Sequence, residues 1–478
     1  MDNEWVATEY PELTVDCLFY IFCYLDAKDL LNVALVNKMW NEAAESTSLW
    51  RPMCLERWTF CNLSKLNPEM QTWKNYYLCR HKLETQMKEG RPNVDYTCKT
   101  LRGHNGKIVG VVYVSENEHQ FGKGVCNSVV CSASSDGILR AWDVQEGTTI
   151  WTSSPQEAPL TSISTVAQYG FLVSTNSQGQ IKVWASQSGE ELGAFSTSSS
   201  SCAVVSYIAK GQPFLSAGTG GGALYTLTVP NLNQLSRITV FDIYKVDLVL
   251  SSPDGQWVVA GTSESIDVCP KIYYTDSLIN SSQDEPTICD VLPVHGCSSA
   301  CWLPVEAARI AVVHAVNHTE PKNITVFDIK SKKSKYKMEI MAGKIADFKL
   351  PSFSSMNSGI LLKGHGADTL LIGIGTELKL YSLSGTLLST FQDHKDHITA
   401  LHVDSFRVVT SSMDLSLRIY SWRKQNKQLL LEGRYHLLGG SHMQSRGFTS
   451  VVCDYISIVG SVLAKDGKDT LKAYSFTQ

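Results

Sequence analysis

Apolar residues along this chain follow two different periods. Between residues 10 and 57 they recur every three or four positions, the spacing of helices. From residue 95 they alternate in short runs broken by turn residues, the spacing of strands. Asp26 is placed to cap a helix that begins at Ala27, with Asp29 in its first turn, where a negative charge suits the helix dipole. Leu30, Val33, Ala34 and Asn37 continue the helical spacing. Thr14 is placed to cap the preceding helix, which carries Val15, Leu18, Ile21, Phe22 and Leu25 with Phe19, Tyr20 and Tyr24 between them. A helix apolar on every side is normally covered on every side. A module of about 45 residues is too small to cover both faces alone. Either the rest of the chain or another protein covers the second face.

The stretch "TWKNYYLCRHKLETQMKEG" predicts a further helix with a partial stripe of Trp73, Tyr77 and Leu78, ended by Gly90 and Pro92. The expected organisation is a helical module over 1–56, a helical linker over 57–94 and a strand-built domain over 95–478. The chain thus reads as mainly β, preceded by a small all-α module.

The strand region repeats. "SVVCSASSDGILRAWDV" places Asp136-Gly137 as a hairpin turn between two apolar runs, and "FLVSTNSQGQIKVWA" and "RVVTSSMDLSLRIYS" repeat its shape. In the first copy a buried Trp142 indole needs an acceptor. Ser132, Asp136 and His104 stand at spacings that can satisfy it and one another. His394, Thr410, Asp414 and Tyr420 keep the same offsets. A later copy retains Ser174 and Trp184 but has Gln178 in place of the acid, and a third has Gly220 and Thr226, which ends the network. Such a set recurring with an aromatic partner behaves as a structural network, not as a hydrolase triad.

Charge changes this picture little. The net charge is -4 and the pI near 6.3, so no basic field points to nucleic acid. Residues 1–50 hold nine acids against Lys28 and Lys38, which is first of all an acidic solvated surface. The longest apolar run near the start, "CLFYIFCYL", has nine residues, whereas a membrane helix needs about 20. The acidic start does not suit a signal peptide, so an intracellular protein, cytoplasmic or nuclear, is expected. The Asn-x-Ser/Thr triplets at Asn62, Asn280, Asn317 and Asn323 are then chance matches. Of 14 Cys, Cys297 and Cys301 with His295 come nearest to metal-ligand spacing, but no second pair follows. Reduced thiols, no metal and no cofactor are expected.

The repeats resemble the WD-repeat family, whose members fold as β-propellers. Strand endings of the Trp-Asp type fall at Trp142, Trp184, Tyr225, Tyr273, Phe327, Tyr381, Tyr420 and Tyr474. Residues 95–478 divide into eight units of 48, which fits better than seven of about 55, although seven stays open. The chain stops four residues after Tyr474, and "DYTCKTL" at 95–101 precedes the first full repeat. The resemblance implies that this early strand completes the last blade, removing two sheet edges.

The opening stretch "YPELTVDCLFYIFCYLDAKDLLNVALVNKMWNEAAESTSLW" resembles an F-box, with Tyr10 where that family usually has Leu. F-box followed by linker and propeller is itself a family arrangement. The resemblance implies docking on the Skp-type adaptor of SCF ubiquitin ligases, which connects to a cullin, with a protein substrate on the propeller. It assigns Pro11, Leu18, Ile21, Leu25, Leu30, Val33 and Val36 to the adaptor contact or its immediate support. Trp40, Leu49 and Trp50 are assigned to the module's own core. Some family members read phosphate with a rim Arg just before the turn Asp or five residues after the repeat His. Those positions here hold Ser135, Met413, Val109 and Thr399, so no Arg fork is expected. The rim is expected near Lys107, Ser135, Ser177, Asp396 and Met413. A propeller scaffold outside any ligase and a propeller enzyme are the other classes; no cofactor motif supports the enzyme.

Overall fold

A computed structural model describes residues 13–58, 61, 63, 71–114, 128–197, 199, 202–280, 287–315, 322–333, 338–351, 359–405, 407–425 and 428–476. The chain divides into two compact units between Thr85 and Gln86.

The first unit is helical. Helices α1 (Val15–Phe22), α2 (Ala27–Val33), α3 (Lys38–Ala44) and α4 (Thr47–Arg57) lead to α5 (Trp73–Glu89). Each early helix starts on a side-chain cap. Thr14 accepts from the Cys17 N–H, Asp26 accepts from Asp29 at 2.8 Å, and Asn37 accepts from Trp40 at 2.9 Å. Leu18, Phe22, Leu30, Ala43, Ala44, Leu49 and Trp50 form the core. The Trp50 indole donates to the Ala44 carbonyl at 2.7 Å, so the largest buried ring leaves no donor unmet.

The region expected to be a linker behaves differently over its first part. Tyr76 and Tyr77 of α5 pack on Trp50 and Trp58, with ring centroids 5.3–6.0 Å apart. Arg80 lies 4.7 Å over the Trp58 ring, and Glu84 accepts from the Trp58 indole and pairs with Arg57. Residues 73–85 thus complete the core of the helical unit, because their aromatic stripe meets apolar surface that α4 exposes.

The second unit is an eight-bladed β-propeller of eight four-stranded antiparallel sheets. Blades 1 to 7 span 108–152, 160–196, 202–239, 248–291, 297–349, 361–391 and 398–438. Blade 8 spans 445–475 and takes its outer strand from Thr97–Leu101, in register Thr97↔Ser475 through Leu101↔Leu471. The early strand therefore closes the ring as expected, and the count is eight.

Register explains the Trp-type positions. In six blades the third strand shifts register just before the large residue: Trp142, Trp184, Leu227, Phe327, Tyr381 and Tyr420. Blade 3 therefore departs from expectation, with Leu227 in place of Tyr225. Its turn glycine is Gly222, whose N–H meets the Thr219 carbonyl as that of Gly137 meets Ser134. The network positions fall on Ala217, Gly221 and Leu227, one residue beyond the expected frame. Three consecutive glycines gave three places to put the turn.

Residues 86–95 belong to the propeller unit. Met87 is buried, its sulfur accepting from Arg407 at 3.3 Å. The Arg407 guanidinium is sealed from water, paired with Asp404 at 2.9 Å and bonded to the Asp454 and Ser457 carbonyls. Each of its three nitrogens has a partner, as a buried charge requires. Gly90 ends α5 at φ +58° against the Tyr435 ring, and Arg91 and Asp95 form a two-pronged pair at 3.0 and 3.1 Å.

Candidate functional site

The helical unit keeps apolar surface after its core is complete. Leu18 and Phe22 of α1 and Leu30 of α2 point inward and are fully buried, so Leu18 and Leu30 can only support a contact. Leu25 and Val33 are half-buried, while Ile21 and Val36 face solvent. Pro11 lies outside the described residues. The most exposed apolar side chains are ones that sequence reasoning missed. Tyr24 is 91% exposed, Leu35 84% and Tyr20 73%, with Leu13 and Val15 also open. Tyr24 and Leu35 sit just after α1 and α2, where the chain turns and no longer shares the helices' inward faces. A groove of about 540 Å³ opens beside the first turn, lined by Cys23, Tyr24, Leu25, Pro52, Met53 and Arg57 among others.

In the propeller the expected network forms in blade 1. His104 Nε2 meets Ser132 Oγ at 2.7 Å, His104 Nδ1 meets Asp136 at 3.2 Å, and the Trp142 indole donates to Ser132 Oγ at 2.8 Å. Burial pushes the His104 imidazole down. Burial works to raise Asp136, but the Asn105 N–H and His104 outweigh it and hold its carboxyl low. Ser132 is fully buried, and its oxygen already serves two partners, so it has no access to a substrate. In blade 7 His394 meets Thr410 at 2.7 Å and Asp414 at 3.1 Å. Tyr420 donates to Asp393 at 3.1 Å. In blade 2 the Trp184 indole keeps Ser174 at 2.9 Å.

The rim residues lie on the loops at one end of the propeller. Lys107 and Ser135 tie blade 1's two loops together: the Lys107 N–H donates to Ser135 Oγ at 2.9 Å, and the Ser135 N–H to the Lys107 carbonyl at 2.8 Å. Ser177 is exposed in blade 2, Asp396 pairs with His397 at 2.8 Å in blade 7, and Met413 is half-buried beside blade 8. Five innermost strands carry one extra residue at the same place, skipped by the pairing: Val109, Thr161, Ser298, Thr399 and Thr449; blade 8 skips a second residue, Arg446, three positions earlier. Such a bulge re-aims its side chain. Val109 and Thr399 are the positions found by counting from a histidine. Blade 8 has no such histidine, so Thr449 was invisible to that count; only the register reveals it.

An F-box-like family model matches residues 15–56, and a model of the WD domain, G-beta repeat, matches 96–143 and 385–421. Human F-box/WD repeat-containing protein 12 is 31% identical over 457 residues, covering 95% of this chain and 97% of that protein. The chain belongs to the F-box/WD repeat-containing protein family. Mouse F-box/WD repeat-containing protein 15 is 27% identical over 459 residues, covering 95% of this chain and 96% of that one. Among solved structures, the computationally designed Ika8 protein matches with a TM-score of 0.53 at 17% identity, covering 78% of this chain and 98% of that chain; this likeness concerns the fold alone.

An F-box joined to WD repeats is the arrangement typical of SCF substrate receptors, and members of the family are generally non-catalytic adaptors. The F-box implies a Skp-type adaptor as partner. Among the described residues of this F-box/WD protein, no three metal-binding side chains converge, and no helix is long and apolar enough to cross a membrane. Cys297 and Cys301 pack into different core clusters, Cys297 with Trp257 and Cys301 with Leu370, while His295 is exposed. The three do not meet at one point.

Proposed function

We propose that this F-box/WD protein is the substrate-recognition subunit of an SCF-type E3 ubiquitin ligase. Its helical unit docks on the Skp-type adaptor, which links it to the cullin, and its propeller captures the protein to be ubiquitinated. The observation that carries this reading is the exposure of Tyr20, Ile21, Tyr24, Leu35 and Val36, five apolar side chains open to solvent within seventeen residues of a unit whose core is already closed. An apolar helical face of this kind suits a partner's groove. The chain supplies no chemistry. Holding substrate and adaptor on one polypeptide makes transfer effectively intramolecular, which raises the local concentration of the acceptor lysine. The work is intracellular, cytoplasmic or nuclear, because ubiquitin transfer is.

The test is capture of purified adaptor by the full chain and by Tyr24→Asp/Leu35→Asp. These positions are better than Leu18, whose replacement by Asp would bury a charge and unfold the unit. The expected outcome is loss of adaptor binding of about a hundredfold or more, with the helical circular dichroism unchanged. Normal adaptor binding by the double variant would sink the site assignment. No binding by the unmodified chain would leave a propeller scaffold that works outside a ligase.

A further inference from the structure

We propose that Tyr24 is a tyrosine-phosphorylation site, and that the phosphate takes the helical unit out of its adaptor-binding state. This rests on the receptor reading and adds the regulation of the docking face. Tyr24 is 91% exposed, the most open of the described tyrosines. Tyr20 at 73% and Tyr169 at 38% come next, and both are more tied down. Tyr20 lies inside α1 with its ring edge-on to Phe19, centroids 6.4 Å apart, and the Tyr169 hydroxyl is committed to the Gly211 carbonyl. The other described tyrosines are buried or half-buried. Among the described residues nothing holds the Tyr24 hydroxyl. Tyr24 also stands outside the helices, in the turn between the end of α1 at Phe22 and the start of α2 at Ala27. That turn is held by the Tyr24 N–H on the Ile21 carbonyl at 3.2 Å and the Leu25 N–H on the Phe22 carbonyl at 3.1 Å. The flanking helices have eight and seven residues, under the roughly 12–15 at which a helix holds by itself. Such a turn opens locally at small cost and yields the extended segment that an enzyme's active site takes.

The chemistry is a transfer from ATP. A tyrosine kinase moves the γ-phosphoryl group to the Tyr24 phenol oxygen: the new O–P bond forms, the bond to the β-phosphate oxygen breaks, ADP leaves, and the phenolic proton passes to the kinase's base. The product carries a charge of about -1.5 to -2. It stands in the same short stretch as the exposed Tyr20, Ile21, Leu35 and Val36. An apolar groove on a partner cannot take in such a dianion without stripping its water. The surrounding charges do not neutralise it. Asp26 and Asp29 follow closely in the chain, the first accepting from the N–H of the second at 2.8 Å, and Glu56 lines the same groove as Tyr24. Arg57 lines that groove too, but it is paired with Glu84 at 3.3 Å. Lys28 alone is then set against Asp26, Asp29 and Glu56 in this part of the described surface. Phosphate and adaptor therefore exclude one another, and a bound adaptor covers the hydroxyl that the kinase needs.

The experiment uses the full chain, purified adaptor, ATP and a tyrosine kinase domain of broad specificity, with the sites mapped by mass spectrometry. Tyr24 should carry most of the phosphate. Tyr24→Phe should remove that label, and Tyr169→Phe should leave it in place. The singly phosphorylated chain should bind the adaptor about a hundredfold more weakly than the untreated chain, and a tyrosine phosphatase should restore binding. Adaptor added before the kinase should suppress labelling of Tyr24. Labelling elsewhere with Tyr24 unmodified, unchanged adaptor binding by the phosphorylated chain, or labelling of Tyr24 that saturating adaptor does not slow would each overturn the proposal. Normal binding by the untreated chain with no effect of phosphate would defeat this inference alone. Absent binding by the untreated chain would defeat the receptor reading, and this inference with it.

Discussion

The two units treat their largest apolar side chains in opposite ways. In the propeller Trp142, Trp184, Trp257, Tyr420 and Tyr474 are fully buried, and the open apolar residues are spread around the ring, some on loops, such as Ile243 and Met443, and others on outermost strands, such as Ile150, Leu192 and Leu387. Scattered exposure of that kind is ordinary on a soluble surface. In the helical unit Trp50 and Phe22 are equally buried, yet Tyr20, Ile21, Tyr24, Leu35 and Val36 stay open within a stretch of seventeen residues. A ring of blades satisfies itself, because each sheet face meets the next and the closing strand removes the last edges. Five short helices cannot enclose themselves, and their surplus is concentrated instead of scattered. The difference separates apolar residues that make the fold from those that await a partner.

The strongest way to break the comparison is to remove a side chain from the self-contained side. Trp142→Ala takes a large ring from between blades and leaves Ser132 without its indole donor. It should cost about 3–5 kcal/mol, read as a lower urea midpoint for the propeller. A loss below about 1 kcal/mol would mean that the blade collapses around the gap. Next in size is Gly90→Ala. Gly90 sits at φ +58°, and an added Cβ would fall 2.5–2.6 Å from three atoms of the Tyr435 ring. Left-handed strain and the clash together should cost about 2–4 kcal/mol, measured by the same denaturation. An unchanged midpoint would show that the exit from α5 can shift at little cost.

The same contrast explains what could be read from the sequence. Thr14, Asp26 and Asn37 act within three residues of themselves, so the caps of α1 and α2 were legible, as was the closing strand from "DYTCKTL" standing ahead of the first full repeat. The histidine network was legible because its members recur at fixed offsets. Blade 3 was not, since its glycine run erased the turn that sets the count. Neither was the split between Leu18 and Tyr24: a helix apolar all round does not announce which side turns inward. Trp73 to Thr85 read as a spacer because an aromatic stripe shows nothing of what it meets. Thr449 was hidden by a bulge, which shifts register without changing composition.

Acid should separate the units further. Burial pushes His365, stacked 4.0 Å from Trp422, and His402 down to about 4. Both belong to blades 6 and 7. In the unfolded chain these imidazoles titrate near 6.5, so between about pH 6.5 and 4 the unfolded state binds more protons. Stability from the neutral rings is complete above about pH 6.5 and declines as pH falls toward 4. At pH 5.5 the propeller should lose about 1–2 kcal/mol relative to pH 7.5, and His365→Phe should recover part of it. A urea midpoint that does not change between those values would refute the assignment.

The smallest expected effect on stability is the one that defines the other side of the comparison. Tyr24→Asp replaces a 91%-exposed ring that no core depends on, and a surface change of this kind stays within about 0.5 kcal/mol. If Tyr24 belongs to a docking face, adaptor affinity collapses while the unfolding curve hardly moves. If it were instead a misplaced core residue, thermal stability of the helical unit would fall together with affinity. Measuring both on one preparation tells the two apart, since a docking residue uncouples binding from folding and a core residue cannot.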